Sequence, residues 1–159
     1  MAHYNIYQIT EQKLCRDEYI TEDSFEYENI SDFSDGVCDI SKEDEKEALE
    51  TLDTILKGVF KRNGRKLTYL GAEQFVNDWI IYMKDKMAEL DNHNIKVFPT
   101  LFNLHCMTEY THRNMEYRFY MGERGYGCAE PLGEFIRSVY ADNKVGDVFY
   151  VGGIVDFHI

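Results

Sequence analysis

Few residues in this chain have the type and spacing to do chemistry, and Cys128 is the first of them. It follows Gly125-Tyr126-Gly127 and precedes a helix predicted to begin near Glu130. A thiol at a helix N-terminus ionises more easily and becomes a nucleophile when a base is near. His105, His112 or His158 would be that base. A small buried cysteine at a loop–helix junction is the commoner outcome. Cys128 therefore carries only an alternative reading, a small cysteine-dependent hydrolase or transferase. His105, Cys106, His112 and Cys128 are also residue types that ligate zinc, and a hairpin would bring His105 near His112. Neighbours on a strand point to opposite faces, which parts His105 from Cys106. The paired spacing of a zinc finger is missing as well. No metal and no cofactor is expected. The run Gly122-Glu123-Arg124-Gly125-Tyr126-Gly127 lacks the Gly-Lys-Ser/Thr ending of a phosphate loop, and its glutamate repels phosphate. Trp79, Met83 and Met87 share a helical face, which reads as a core stripe rather than a groove for a partner helix.

The strongest signal is a row of carboxylates. Asp17, Glu18, Glu22, Asp23, Glu26, Glu28, Asp32, Asp35 and Asp39 are interleaved with Tyr19, Phe25, Tyr27 and Phe33, and Glu43, Glu47 and Glu50 follow at helical spacing. Strand residues two apart are separated by about 6.6 Å, and helix residues four apart rise by about 6 Å. A rigid row of carboxylates at such intervals resembles the charge array of a nucleic-acid backbone and suits a channel lined by Lys and Arg. The competing reading is a solvated face that keeps the protein soluble. Concentration of the charge favours a binding surface, as do the aromatics beside it, which suit interface anchors. Ion pairs expected along the helix, Lys46–Glu50 and Asp53–Lys57, favour the solvated face. The residues assigned to partner binding are Asp17, Glu18, Glu22, Asp23, Glu26, Tyr27, Glu28, Asp32, Asp35, Glu43 and Glu47.

Composition sets the frame for these residues. The 159 residues carry a formal charge of −12. Residues 1–50 hold 15 acids and 4 bases, whereas residues 51–159 hold 14 acids and 13 bases. The imbalance thus lies almost wholly in the first third, which argues against direct binding of DNA, RNA or anionic lipid there. The one basic cluster, Lys57, Lys61, Arg62, Arg65 and Lys66, reads as a favourable helix C-terminus rather than a nucleic-acid site. A hydrophobic fraction of 44% excludes a disordered chain. The length matches a single domain over 1–159 that needs no disulfide or metal to fold. The opening Met1-Ala2-His3-Tyr4 lacks the basic and apolar regions of a signal peptide, and no apolar run is long enough to span a membrane. Four cysteines without a Cys-x-x-Cys pair suggest reduced thiols in a cytoplasm.

The elements that must position these residues follow from periodicity. Tyr4 to Ile9 reads as a strand. Phe25-Glu26-Tyr27-Glu28 alternates as a half-buried strand with an acidic outer face. Residues 31–36 have turn composition. Ser41 opens a helix with Asp44 in the capping-box position. Its apolar stripe runs through Ala48, Leu49, Leu52, Ile55, Leu56, Val59 and Phe60, and Asn63-Gly64 ends it or begins a tight turn. Lys66 to Leu70 reads as a short strand. Ala72 to Leu90 reads as a second helix, with Phe75, Val76, Trp79, Ile80, Met83, Met87 and Leu90 on its buried face. Strands are expected over 95–98, 100–110 and 115–121, with a hairpin connection at 111–114. A short helix starts near Pro131, and residues 147–157 read as two short strands around Gly152-Gly153. The sum is an α+β domain: a mainly antiparallel sheet, two longer amphipathic helices and one short helix.

Tyr4-Asn5-Ile6-Tyr7-Gln8-Ile9, followed by Arg16-Asp17, resembles the start of small proteins carried by phages and conjugative elements of gut bacteria. The resemblance covers about a tenth of the chain. It implies a setting in which small acidic proteins inhibit host defence, as anti-CRISPR and anti-restriction proteins that imitate DNA do. They share no common fold or catalytic motif, so it assigns no residue a role. The expectation is a non-enzymatic inhibitor in the cytoplasm of a bacterial host. Its acidic surface would block the basic channel of a host nucleic-acid-processing protein, without touching nucleic acid or membrane itself. A further alternative is an interaction or assembly domain, homodimeric through an aromatic sheet face.

Overall fold

The last strand organises the molecule. In the computed structural model, which describes residues 3–26, 30, 31, 33–89, 91, 92, 116–122 and 129–158, β7 (Val148–His158) pairs along one edge with β1 (His3–Thr10), antiparallel. Its other edge is shared. β4 (Lys66–Tyr69) takes Val148 to Tyr150, and β2 (Gly36–Asp39) takes Val155 to His158. Beyond β4 lies β3 (Phe60–Asn63), and beyond β1 lie β5 (Tyr117–Tyr120) and the two-residue β6 (Glu130–Pro131). Every pairing is antiparallel except β1 with β5. Three helices complete the described fold: α1 (Lys42–Ile55), α2 (Glu73–Ala88) and α3 (Leu132–Asp142). This is the expected α+β class with a mainly antiparallel sheet.

Alternation along β1 and β7 divides the apolar residues between two faces. Tyr7, Ile9, Phe149 and Val151 join Leu52 and Leu56 of the α1 region and Phe135, Ile136 and Val139 of α3. The Phe119 and Phe135 rings stack there at 4.3 Å. Ile6, Val155 and Phe157 point the other way and meet Ile20, Phe25 and Ile30. Each fully buried Ile or Phe contributes about 1.5–3 kcal/mol. The segment that holds most of the negative charge therefore forms a third layer, fixed to the sheet by its own apolar residues. The aromatic sheet face invoked for a homodimer is taken by this layer, with Phe25 against Tyr120 and Phe33 against Phe157.

Close approach of that layer depends on a break in β7. The register of β1 against β7 slips between Tyr7 and Ile9, leaving Gly152 and Gly153 opposite Gln8. The Gln8 side chain is buried, and its Oε1 accepts from the backbone N–H groups of Ile20 (3.0 Å) and Gly153 (2.8 Å). Its Nε2 donates to the Glu18 carbonyl at 3.1 Å. A Cβ on Gly153 would sit 2.4 Å from the Ile20 carbonyl oxygen. On the opposite edge, between β4 and β2, Arg65 donates to the carbonyls of Val151 (3.3 Å) and Gly152.

Several expectations are corrected. Phe25 and Glu26 lie outside any strand: Glu22–Ser24 is a 3₁₀ turn, and Phe25 drops onto the sheet face instead of pairing at an edge. The stripe from Ala48 to Phe60 is not one helix. α1 stops at Ile55, Gly58 takes φ +85°, and Phe60 already begins β3. Gly64 (φ +61°) opens the two-residue turn of the β3–β4 hairpin. The two strands expected at 147–157 are one strand with a bulge. The basic cluster is largely a hairpin, not a helix end, and its arginines are engaged: Arg62 with Asp53 at 2.5 Å, Arg65 with Glu45. Asp53 thus pairs with Arg62 rather than Lys57, whereas Lys46–Glu50 forms at 4.0 Å. α2 is less buried than its stripe implies, with Trp79 covered but Ile80 and Met87 exposed. The strands expected over 95–98 and 100–110, the connection at 111–114, His105, Cys106, His112, Gly125, Gly127 and Cys128 lie outside the described residues.

Candidate functional site

Ser41 and the two 3₁₀ turns set the acidic layer in place. Arg16–Glu18 forms the first turn, and the Glu18 carboxylate accepts from the Cys15 N–H at 2.7 Å. Asp17 and Glu18 are both exposed there. Glu22 and Asp23 sit on the second turn, also exposed. The backbone N–H of Glu22 donates to Asp39 Oδ1 (2.8 Å), and that of Asp39 donates to Glu22 Oε2 (3.4 Å). This reciprocal pair ties the acidic turns to the end of β2, just before α1. Asp35 is exposed while its N–H donates to the His158 carbonyl at 2.9 Å. The Ser41 Oγ caps α1 by accepting from the Asp44 N–H (3.1 Å) and donates to Asp44 Oδ2 (2.7 Å). An aspartate is too short to reach back to the Ser41 N–H as glutamate does in a capping box, so it bonds the hydroxyl instead. Glu43 and Glu47 project from the first two turns of α1 and are exposed. Glu43 complements the positive end of the helix dipole.

All eight described members of the partner-binding set are thus exposed: Asp17, Glu18, Glu22, Asp23, Glu26, Asp35, Glu43 and Glu47. Tyr27, Glu28 and Asp32 lie outside the described residues. Glu22 is tied to Asp39, three residues before α1 begins. The layer is not uniformly acidic. Arg16, Lys42 and Arg65 line a pocket between the first 3₁₀ turn and α1, where Arg65 pairs with Glu45 and lies 5.1 Å over the Tyr19 ring. Aromatics expected as interface anchors are spent internally: Phe25 is buried, and Phe33 packs on Phe157 and under Arg118.

A second feature was not visible in the sequence. Between α1 and the end of the sheet opens a groove of about 510 Å³, lined by His3, Cys38, Asp39, Asp44, Glu47 and Asp156 among others. The register puts His3 opposite His158 on β1 and β7, and Cys38 of β2 opposite Asp156. His3 Nδ1 lies 2.5 Å from Asp156 Oδ2, and the Cys38 thiol donates to the same oxygen over 3.6 Å. Burial, then the Asp156 carboxylate, pushes the Cys38 thiol above its usual range, so it is held protonated rather than as a nucleophile. These residues are up to 155 positions apart in the chain and share no motif. Only the pairing of β1, β2 and β7 assembles them.

No family model, curated protein or solved structure matches this chain. Among the described residues no helix is long and apolar enough to cross a membrane.

Proposed function

We propose that the protein is a non-enzymatic binding protein that lays its acidic layer into the basic nucleic-acid channel of a host defence nuclease and excludes the nucleic acid. One observation carries this reading: the exposed carboxylates of residues 17–26 are mounted on a packed layer, and those of Glu43 and Glu47 on α1, which packs against the other face of the sheet. Ile20, Phe25 and Ile30 anchor that layer, and Gln8 clamps it by two hydrogen bonds, to the Glu18 carbonyl and from the Ile20 N–H. A charge array held in fixed positions loses little conformational freedom on binding, whereas a flexible acidic tail must be ordered at a cost. Complementary charge also speeds encounter with a basic channel. The resemblance of the opening residues supplies the setting, an anti-CRISPR or anti-restriction role in the cytoplasm of a bacterial host.

The test begins with capture from a bacterial lysate at low and high salt, followed by competition with DNA or RNA on the recovered enzyme. The expected partner is a nucleic-acid enzyme, released at high salt and displaced in proportion to added nucleic acid. A partner that holds the protein and its nucleic acid at the same time would sink the reading.

A further inference from the structure

We propose that His3, Asp156 and His158 form a binding site for a divalent first-row transition-metal ion at the end of the sheet. The three side chains offer two imidazole nitrogens and one carboxylate oxygen, all within 4.8 Å of one another. In a tetrahedral zinc site with bonds of about 2.0–2.1 Å, ligand atoms stand about 3.3 Å apart. His3 Nδ1 and Asp156 Oδ2 are at 2.5 Å, and His158 Nδ1 and Asp156 Oδ2 at 4.0 Å. These two separations bracket the required one, so modest side-chain adjustments bring the ligand atoms to coordination distance. A metal ion there takes the place of the direct His3–Asp156 contact.

Three further features favour an ion here over a plain ion pair. His158 Nδ1 is buried and makes no hydrogen bond among the described residues. Such an atom in a native structure calls for a partner. The Cys38 thiol donates to the same Asp156 oxygen over 3.6 Å and helps to fix where the carboxylate points, the kind of outer support that metal sites use. Asp39, Asp44 and Glu47 line the same groove and make it attractive to cations. Imidazole with carboxylate selects first-row transition ions over magnesium or calcium, which prefer all-oxygen sites. The coordination position left over is completed by water on the groove side. The expectation of no metal centred on His105, Cys106, His112 and Cys128. It missed this set because His3 and His158 lie at opposite ends of the sequence.

The experiment is calorimetric titration of zinc chloride into untagged, chelator-stripped full-length protein. The expected result is saturable one-to-one binding and a raised Tm in the presence of zinc. His3→Ala, His158→Ala and Asp156→Asn should each weaken it by at least about tenfold, given that even outer-sphere changes cost 10–100-fold. His3 is largely exposed, so His3→Ala isolates metal binding from folding, and far-UV circular dichroism checks each variant. Cobalt(II) loading should give a visible d–d spectrum without a thiolate charge-transfer band. The proposal is overturned by an absence of saturable zinc binding. It is equally overturned by full-affinity binding in the His3→Ala/His158→Ala double variant, by a thiolate band, or by magnesium binding as tight as zinc.

Discussion

Gln8 is the residue on which the acidic layer turns. Its amide satisfies two backbone donors and one backbone acceptor that are far apart in sequence. Gln8→Leu keeps the volume and removes the acceptor, leaving the N–H groups of Ile20 and Gly153 without it. At about 1–3 kcal/mol for each of the two orphaned buried groups, the loss should be roughly 2–6 kcal/mol in urea unfolding. An unchanged midpoint would mean that the layer is held by packing alone. Tyr7 gives a second residue-scale prediction. Its hydroxyl donates to the Ala48 carbonyl at 2.9 Å, and burial pushes its phenol far above the usual tyrosine range. A folded-state pKa above the unfolded one stabilises fully below the unfolded value, about pH 10, and the contribution is lost as pH rises beyond it. Burial raises Tyr69 in the same direction, so wild-type stability should fall above about pH 10 from both groups. Tyr7→Phe should lower stability by about 0.5–1.5 kcal/mol at neutral pH and make the alkaline fall shallower. Parallel alkaline slopes for wild type and variant would refute this assignment.

At the scale of elements, the bulge in β7 decides how closely the third layer can lie. Neither Gly152 nor Gly153 has positive φ; the Gln8 side chain stands where a Cβ of Gly152 would be, and the Ile20 backbone where a Cβ of Gly153 would be. Gly153→Ala should therefore push the Cys15–Ile20 stretch off the sheet while leaving the helix-covered face intact. Amide hydrogen exchange should speed up at Ile20 and not at Phe149 or Val151. Uniform protection loss would mean that the bulge supports the whole sheet. The same pair of glycines shows what the sequence made legible. The strand at 4–9, the helix after Ser41, the helix over Ala72–Leu90 and the helix at Pro131 announce themselves through periodicity and caps. Gly152-Gly153 looked like a boundary between two strands because glycine breaks pattern at a bulge as it does at a turn. Phe25-Glu26 alternated like a strand, yet alternation cannot distinguish edge pairing from a segment that drops one aromatic onto a sheet face. β2 was hidden because its partner, the end of β7, lies more than 100 residues away. The acidic row was legible as composition. The cluster of His3, Asp156 and His158 was not, since it exists only through register.

At the scale of the whole molecule, the sheet separates two kinds of surface. Helices α1 and α3 cover one face with aliphatic and aromatic packing, the layer of 3₁₀ turns covers the other, and α1 adds exposed acids of its own. Removing charge from the turns and from α1 should leave the fold intact, because the anchors of both are apolar and the clamp of the turns is the neutral Gln8. Asp17, Asp23, Glu26 and Glu43 are the positions to change: all are exposed, and none lines the groove at His3. Asp17→Asn, Asp23→Asn, Glu26→Gln and Glu43→Gln together keep side-chain size and remove four negative charges. The loss of Glu43 at the start of α1 should cost a few tenths of a kcal/mol, offset in part by relief of repulsion among the remaining acids. Tm should therefore move by no more than about 2 °C. If the acidic layer occupies a basic channel, the variant should bind the captured enzyme more weakly, mainly through a slower association rate. Wild-type affinity should fall as salt rises, and the variant should show a shallower dependence. Zinc binding at His3, Asp156 and His158 should be untouched, which keeps the two proposals separable. Stopped-flow association at several ionic strengths, alongside displacement of bound nucleic acid, measures all of this. Equal association rates and equal salt slopes for the two proteins would make the acidic layer a solvated surface, and the partner would have to engage another face.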